Sequence, residues 1–373
     1  LHPRVRRQRQ MCIRDRFTAT ATEQVKRDII QLLGLQDPVA ISTGYNRSNL
    51  YFAVQRPQNK KKALLDLMRK FSKKSGIVYC STRKLVEEVC ETLQDAGIAA
   101  TRYHAGLPDW ERTANQEEFL YDHAQVMVAT NAFGMGIDKS NVSFVIHYNM
   151  PKNMEGYYQE AGRAGRDGDP AECILLYSGK DVVTNQYLIE RGQDNQEMDM
   201  ETWRLVRDRD QERLKQMTFY CFTHDCLREY ILKYFGEYGK SYCGNCLNCQ
   251  TEFEEQDVTR EARAMVRCVE SSGQRYGVNV ILDTLRGAST AKIRQYDMDG
   301  NPEYGACAKI PAHRLRQILN YLVLREYLHL TDDGYTIVKL TASSKSLLEE
   351  DHTLTMKTVS YTHLRAHETR RHL

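Results

Sequence analysis

No stretch of this sequence is apolar for long enough to cross a bilayer as a helix, which excludes a helical membrane anchor within its 373 residues. A Gly-x4-Gly-Lys-Ser/Thr loop is also missing, as is any Asp-Glu step. The nearest approach to such a loop, Gly239-Lys240-Ser241, has Tyr234 where the first glycine belongs. It also follows a helical pattern rather than a strand, so we reject it as a phosphate cradle. Net charge is low at +3, and removing the +5 of residues 1–16 and the +2 of residues 358–373 leaves about −4 for the body. Overall charge is therefore no argument for binding a polyanion, and any basic surface must be local. With no signal peptide to be read, the eleven cysteines point to a reducing compartment, with metal ligation or free thiols rather than a disulfide frame. The length suits two or three domains with real cores.

The two ends match their neighbours poorly. Residues 1–16 and 358–373 continue no helical or strand period, and the strings around Met11–Arg16 and Val359–Glu368 resemble translated sequencing-adapter read-through. We expect residues 1–16, and part of a tail spanning 346–373, to be non-native and leave them out of fold reasoning. The opposing expectation is basic tails that bind nucleic acid.

From about residue 38 to 180, short apolar runs at 50–54, 76–81, 100–104, 125–130, 142–148 and 172–177 alternate with helical patterns at 60–71, 84–96 and 110–120. Continuous apolar strands separated by helices imply a parallel sheet covered on both faces, whose ligands sit at the carboxyl ends of the strands. Chemistry-bearing residues fall at those ends. Ser81, Thr82 and Arg83 bring hydroxyls and a cation to a helix N-terminus, which suits phosphate; a plain helix cap accounts for them equally well. His104 follows another strand and suits a packed, satisfied histidine as well as a ligand contact. Thr130, Gly134 and Asp138 follow a third, where glycines permit close backbone approach.

The chain is organised around Tyr157-Tyr158-Gln159-Glu160-Ala161-Gly162-Arg163-Ala164-Gly165-Arg166-Asp167-Gly168. Arg163 and Arg166, three apart, are expected on one helical face, where guanidinium forks suit phosphate oxygens. Most such pairs are simply solvated helix faces. Further on, 203–237 reads as helical and is followed by Cys243-Gly244-Asn245-Cys246-Leu247-Asn248-Cys249. Two overlapping Cys-x-x-Cys steps give three thiolates that can face one point, and tetrahedral zinc needs a fourth ligand from Cys226, Cys221 or His224. An iron–sulfur cluster is disfavoured because Phe253 stands where its next cysteine would be. After a polar linker at 251–258, helical patterns at 260–271, 278–286 and 311–324 precede strands at 327–330 and 335–340 that flank Asp332-Asp333-Gly334. Three helices and a hairpin make a winged helix, with His313, Arg314 and Arg316 of the third helix as candidate phosphate contacts.

The Gln-x-x-Gly-Arg-x-Gly-Arg spelling resembles motif VI of superfamily 2 helicases, and of the RecQ family in particular. Three further stretches keep that family's order: Phe17–Thr22 resembles motif III, Ser81–Lys84 motif IV and Ala129–Lys139 motif V. Tyr103–Leu107 resembles a RecQ signature, and Cys226 with Cys243, Cys246 and Cys249 matches the C-x16-C-x2-C-x2-C zinc pattern.

The resemblance implies a multidomain α/β plus α+β protein. Its parts would be the end of a first helicase lobe at 17–37, a RecA-like second lobe at 38–180, a helical zinc-binding domain at 181–252 and a winged-helix domain at 256–345. It implies an ATP-dependent 3′→5′ DNA helicase of DNA repair, recombination and replication. ATP and Mg2+ would be gripped by a first lobe expected upstream, so that this chain alone would be inactive. Arg166 would be an arginine finger on ATP, flanked by Arg163, with Gln159, Gly162, Gly134 and Asp138 at the motor interface. Ser81, Thr82, Arg83, His104, Thr130, Arg314 and Arg316 would contact DNA, and Zn2+ would be structural. Expected partners are single-stranded and forked DNA and single-stranded-DNA-binding protein, in a bacterial cytoplasm near the nucleoid and with no membrane. The rival expectation is a non-enzymatic zinc and winged-helix DNA-binding protein with a vestigial motor lobe. A DEAD-box-type RNA helicase is a weaker third, disfavoured by the units that follow motif VI.

Overall fold

The computed structural model describes residues 22–35, 38–41, 44–134, 139–191, 199–331, 337–349 and 351–359. Helix α1 (Glu23–Leu32) starts where the Thr22 hydroxyl accepts the Val25 N–H, and Gly34 at φ +57° follows its end. The other motif III residues, 17–21, lie outside the described residues.

Six parallel strands follow: β1 (Leu50–Gln55), β2 (Gly76–Tyr79), β3 (Ala100–Tyr103), β4 (Val126–Ala129), β5 (Phe144–His147) and β6 (Ala171–Leu176). They lie in the order β1-β6-β5-β2-β4-β3, so the predicted parallel sheet is present and each run is placed within two residues or so of its observed strand. Strand alternation sends Ile77, Tyr79, Met127 and Ala129 to one face and Val78, Val126, Val128 and Ile146 to the other. The second face is covered by α2 (Lys60–Lys70) and α3 (Arg83–Asp95), with Leu64, Phe71, Val86 and Leu93 fully buried and Phe71 stacked 4.5 Å from Phe144.

The first face is covered differently. Besides α4 (Asp109–Leu120) and α5 (Met154–Ala161), it receives helices from further along the chain. After α6 (Gly179–Glu190), Leu214, Met217 and Tyr220 of α7 (Met200–Phe222) and Leu227 and Ile231 of α8 (Leu227–Tyr234) join the same core. Tyr157, wholly buried, packs on Phe52, His147 and Tyr220 and shares a 3.1 Å hydroxyl contact with Tyr220.

A short helix, α9 (Leu247–Gln250), leads to β7 (Phe253–Asp257), and the remaining helices build a separate core. These are α10 (Thr259–Ser271), α11 (Val278–Arg286), α12 (Ala291–Gln295) and α13 (Ala312–Leu324). Strands β8 (Leu328–Leu330) and β9 (Val338–Leu340) pair antiparallel as expected; the turn residues 332–336 lie outside the described residues.

Two boundaries need correction. The stretch read as a linker holds β7, which pairs antiparallel with β10 (Thr355–Val359), a strand in what was read as a tail. The winged unit therefore runs from about 253 to 359. Phe-Glu-Glu-Gln-Asp is exposed beyond its first residue, so no alternation marked it; the strand is set by a partner about a hundred residues away. Thr358 and Val359, set aside as off-pattern, are in that strand, while residues 1–16 and 360–373 lie outside the described ones.

Candidate functional site

Three loops meet at the carboxyl edge of the sheet. Thr82 caps α3 by accepting the Leu85 N–H at 3.2 Å, and exposed Ser81 donates its N–H to Asn149 Oδ1 at 3.2 Å. Asn149 in turn donates to Asp181, which also accepts from Lys60 Nζ at 2.7 Å and from the N–H groups of Met150 and Ser178. This buried carboxylate thus ties the loop after β2 to the start of α6. Burial lowers the Lys60 ammonium pKa, and the Asp181 carboxylate opposes that.

His104 is buried. Its Nδ1 accepts the Gly106 N–H at 3.1 Å, which leaves the proton on Nε2, 2.7 Å from Glu87 Oε1. The ring is satisfied within its own loop and shapes it. Arg83 is exposed, with its side chain alongside Gly106. Thr130 is half-buried and closes the turn after β4 by accepting the Phe133 N–H at 3.0 Å. Asp138 lies outside the described residues.

The arginine pair departs from expectation. Helix α5 ends at Ala161, so Arg163 and Arg166 sit in the turns that follow and do not share a helical face. The cause is the glycine spacing. Gly165 adopts φ +57°, donates its N–H to Val142 O at 2.8 Å, and stands where a Cβ would press on Asn49, Asp169 and Ala171. Arg163 folds back and donates to Gly134 O at 2.6 Å; Gly134, at φ +142°, has no room for a Cβ beside that guanidinium. The loops of motifs V and VI are thus locked together, with Arg166 and Gln159 exposed and Gly162 half-buried beside them. Glu160 accepts a 2.8 Å bond at His147 Nε2, pinning the helix to β5 from beneath.

Four cysteine sulfurs gather between the start of α8 and the start of α9. The Sγ atoms of Cys226, Cys243, Cys246 and Cys249 lie within 4.8 Å of one another. Tetrahedral zinc at ~2.3 Å from each sulfur needs them roughly 3.8 Å apart, so the set fits that ion. Backbone donors aim at it: Glu229 N–H at Cys226, Asn245 N–H at Cys243 and Cys249 N–H at Cys246. Hydrogen sharing with Cys246, then burial, pushes the Cys226 thiol up to about 12, while the same sharing lowers that of Cys246. Cys221 is instead buried in the sheet-facing core, and His224 packs edge-on against Phe253 at 5.3 Å; neither joins the cluster. These four cysteines would hold a zinc ion with no coordination position left open, a structural rather than a catalytic site.

On α13 of the winged unit, exposed Arg316 is engaged by Asn279, whereas half-buried Arg314 bonds Gln317 and, on β7, Gln256. Arg314 and exposed His313 line a cavity of about 930 Å3 between this helix, the end of β1 and the α7–α8 junction. Only Arg316 of the two predicted arginines lies on the outer face.

Reading the sequence missed Arg47, Asn49 and Arg228. Arg47 and Asn49 donate to the carbonyls of Gly162, Ala164, Gly165 and Asp169, and Arg228 grips the carbonyls of Arg47, Ser48 and Leu50 and the side chain of Asn46. Single polar residues ahead of a strand, or inside a helix, carry no pattern that would expose them.

Comparison with known proteins agrees with this layout. Three domain families match in order: helicase conserved C-terminal domain over residues 59–168, RecQ zinc-binding over 179–250, and RQC domain over 252–363. The chain is 37% identical over 333 residues to the ATP-dependent DNA helicase RecQ of Bacillus subtilis, covering 89% of this chain and 55% of that protein. It is 36% identical over 348 residues to the ATP-dependent helicase SGS1 of Saccharomyces cerevisiae, covering 89% of this chain and 24% of the relative. Against the RecQ of Pasteurella multocida, identity is 32% over 342 residues, with 91% and 52% covered. The chain thus spans about half the length of the bacterial relatives it matches. These three domain matches in order, with relatives of this identity, mark the chain as the C-terminal region of a RecQ-family helicase, carrying its helicase C-terminal domain, zinc-binding domain and RQC domain.

Proposed function

We propose that the chain supplies the second motor lobe, the zinc domain and the duplex-binding winged helix of an ATP-dependent 3′→5′ DNA helicase serving repair, recombination and replication. The observation that carries this is the division of labour within motif VI. Arg163 donates to Gly134 O and fixes the turn, and Arg166 lies on the exposed side of the same turn, which supports giving it the nucleotide contact from this lobe. A forked guanidinium there stabilises charge on a transferring phosphoryl group. The phosphates and Mg2+ need a gripping loop that this sequence does not contain. Ser81, Arg83 and Thr130, at neighbouring loops, are assigned to the backbone of single-stranded DNA; Thr82 and His104 shape those loops. Arg316, rather than cavity-facing Arg314, is assigned to the duplex ahead. Forked DNA and single-stranded-DNA-binding protein are the proposed partners, and the nucleoid the proposed place of action.

ATP hydrolysis by the purified chain, with and without single-stranded DNA, tests this. We expect binding of a labelled forked oligonucleotide with no ATP turnover. DNA-stimulated turnover that is lost in Arg166→Ala would show a phosphate-gripping element within these residues and overturn the division of labour between lobes.

A further inference from the structure

The segment from Tyr45 to Leu50 runs between the zinc unit and the arginine turn and is bonded to both. On the zinc side, Tyr45 donates its N–H to Glu237 Oε1 at 2.8 Å and stacks on Phe235 at 4.5 Å. Arg228, buried in α8, reaches the carbonyls of Arg47, Ser48 and Leu50 and the side chain of Asn46. Asn245, between two of the cluster cysteines, donates to Ser48 O at 3.1 Å and Leu50 O at 3.3 Å, and its own carbonyl accepts from Arg228. Cys246 itself forms a β-bridge with Phe52.

On the turn side, Arg47 Nη2 donates to Gly165 O at 2.7 Å and Ala164 O at 3.1 Å, and Asn49 Nδ2 donates to Gly165 O at 2.8 Å and Asp169 O at 2.9 Å. Tyr158, on the helix leading into the turn, donates its hydroxyl to Tyr45 O at 2.6 Å. Residues 162–169 form neither helix nor strand, and beyond the Gly168 N–H that reaches Gly165 O at 3.2 Å the carbonyls of this turn draw on such outside donors. Arg228 holds the segment by its carbonyls, and the segment's side chains hold the turn by its carbonyls.

We infer that Arg47 and Asn49 are positioning residues for Arg166, and that Arg228 and Asn245 make their placement depend on an intact cysteine cluster. Metal loss would then loosen the arginine turn across the strap, although no cluster ligand touches it. The inference rests on the proposed role of Arg166 for its meaning, but the mechanical link is measurable without nucleotide. Either can therefore fail alone.

Hydrogen–deuterium exchange of the full chain, followed by mass spectrometry of peptides over 162–169, reads the link. Losing two or three of these bonds in Arg47→Ala should speed exchange there about tenfold or more, with the peptide over α3 unchanged. Asn49→Asp, which keeps the shape and removes the donor, should behave the same way, as should a zinc chelator added to the native chain. Should Arg228→Ala fail to fold, Asn245→Ala is the gentler cut on the zinc side and should accelerate the same peptide. Unchanged exchange at 162–169 in Arg47→Ala would overturn the inference. So would chelation that leaves the turn protected, or acceleration spread equally over α3, which would mark the network as general packing.

Discussion

The two junctions in this chain are built on different principles. Between the lobe and the zinc unit there is no boundary in the core: Tyr157 of α5 and Tyr220 of α7 touch within one apolar cluster, and Arg228 and Asn245 add polar ties above it. Between these and the winged unit, by contrast, lie a separate core and a cavity of about 930 Å3 lined by Arg314, Gln317 and Thr223 among others. Matched domain families break at 168/179 and at 250/252, yet only the second break coincides with a change of core. The lobe and the zinc unit should fold as one body and the winged unit as another.

The sharpest way to break this comparison is to remove the metal. The purified chain should hold about one zinc. Structural zinc contributes on the order of 10 kcal/mol of binding free energy in small domains. Chelation should therefore pull the lobe and zinc unit down together in calorimetry while the winged unit melts as before. Two separate transitions for lobe and zinc unit would refute the single body.

Core truncations follow in size. Tyr157→Ala empties the shared core and should cost about 3–5 kcal/mol in the first transition only. Leu319→Ala, buried in the other core, should cost about 2–5 kcal/mol in the second only. Gly165→Ala comes next, at roughly 1–3 kcal/mol, because a left-handed conformation is imposed on a side chain that also meets Asn49. Its first readout should be exchange at 162–169 before any shift in melting.

The smallest effect is a pH dependence. Lys139 Nζ lies 2.7 Å from Asp122 Oδ1, and that bond holds the carboxyl below its ordinary pKa. A depressed carboxylate stabilises the fold above its unfolded value of about 4, and that contribution is lost as pH falls through the folded value. Asp122→Asn should therefore lower the first transition slightly at neutral pH, with the gap to wild type closing in acid.

What could be read from the sequence follows from where pattern is dense. Apolar runs such as Gly76–Tyr79 and the spacing of Cys226, Cys243, Cys246 and Cys249 announce themselves, because burial and ligation each impose a period. The helix expected beneath Arg163 and Arg166 stops at Ala161, and Gly165 at φ +57° keeps a right-handed helix from resuming before Arg166. β7 and β10 were hidden because each is half of a pair whose other half lies about a hundred residues away. Arg47 and Asn49 were hidden for a third reason. Their work is to satisfy carbonyls, and a carbonyl looks alike at every position of a sequence.

The shared core also sets a timetable for synthesis. When Leu176 leaves the ribosome all six strands exist, yet one sheet face still awaits Leu214, Tyr220 and Ile231, and the last cysteine of the cluster is residue 249. At 5–20 residues per second, translation needs roughly 4 to 15 s to cover that interval. Throughout it, Phe52 and Tyr157 lack the cover that Arg228, Cys246 and Tyr220 later give them, which makes the nascent chain a client for chaperones until its second half arrives and captures metal.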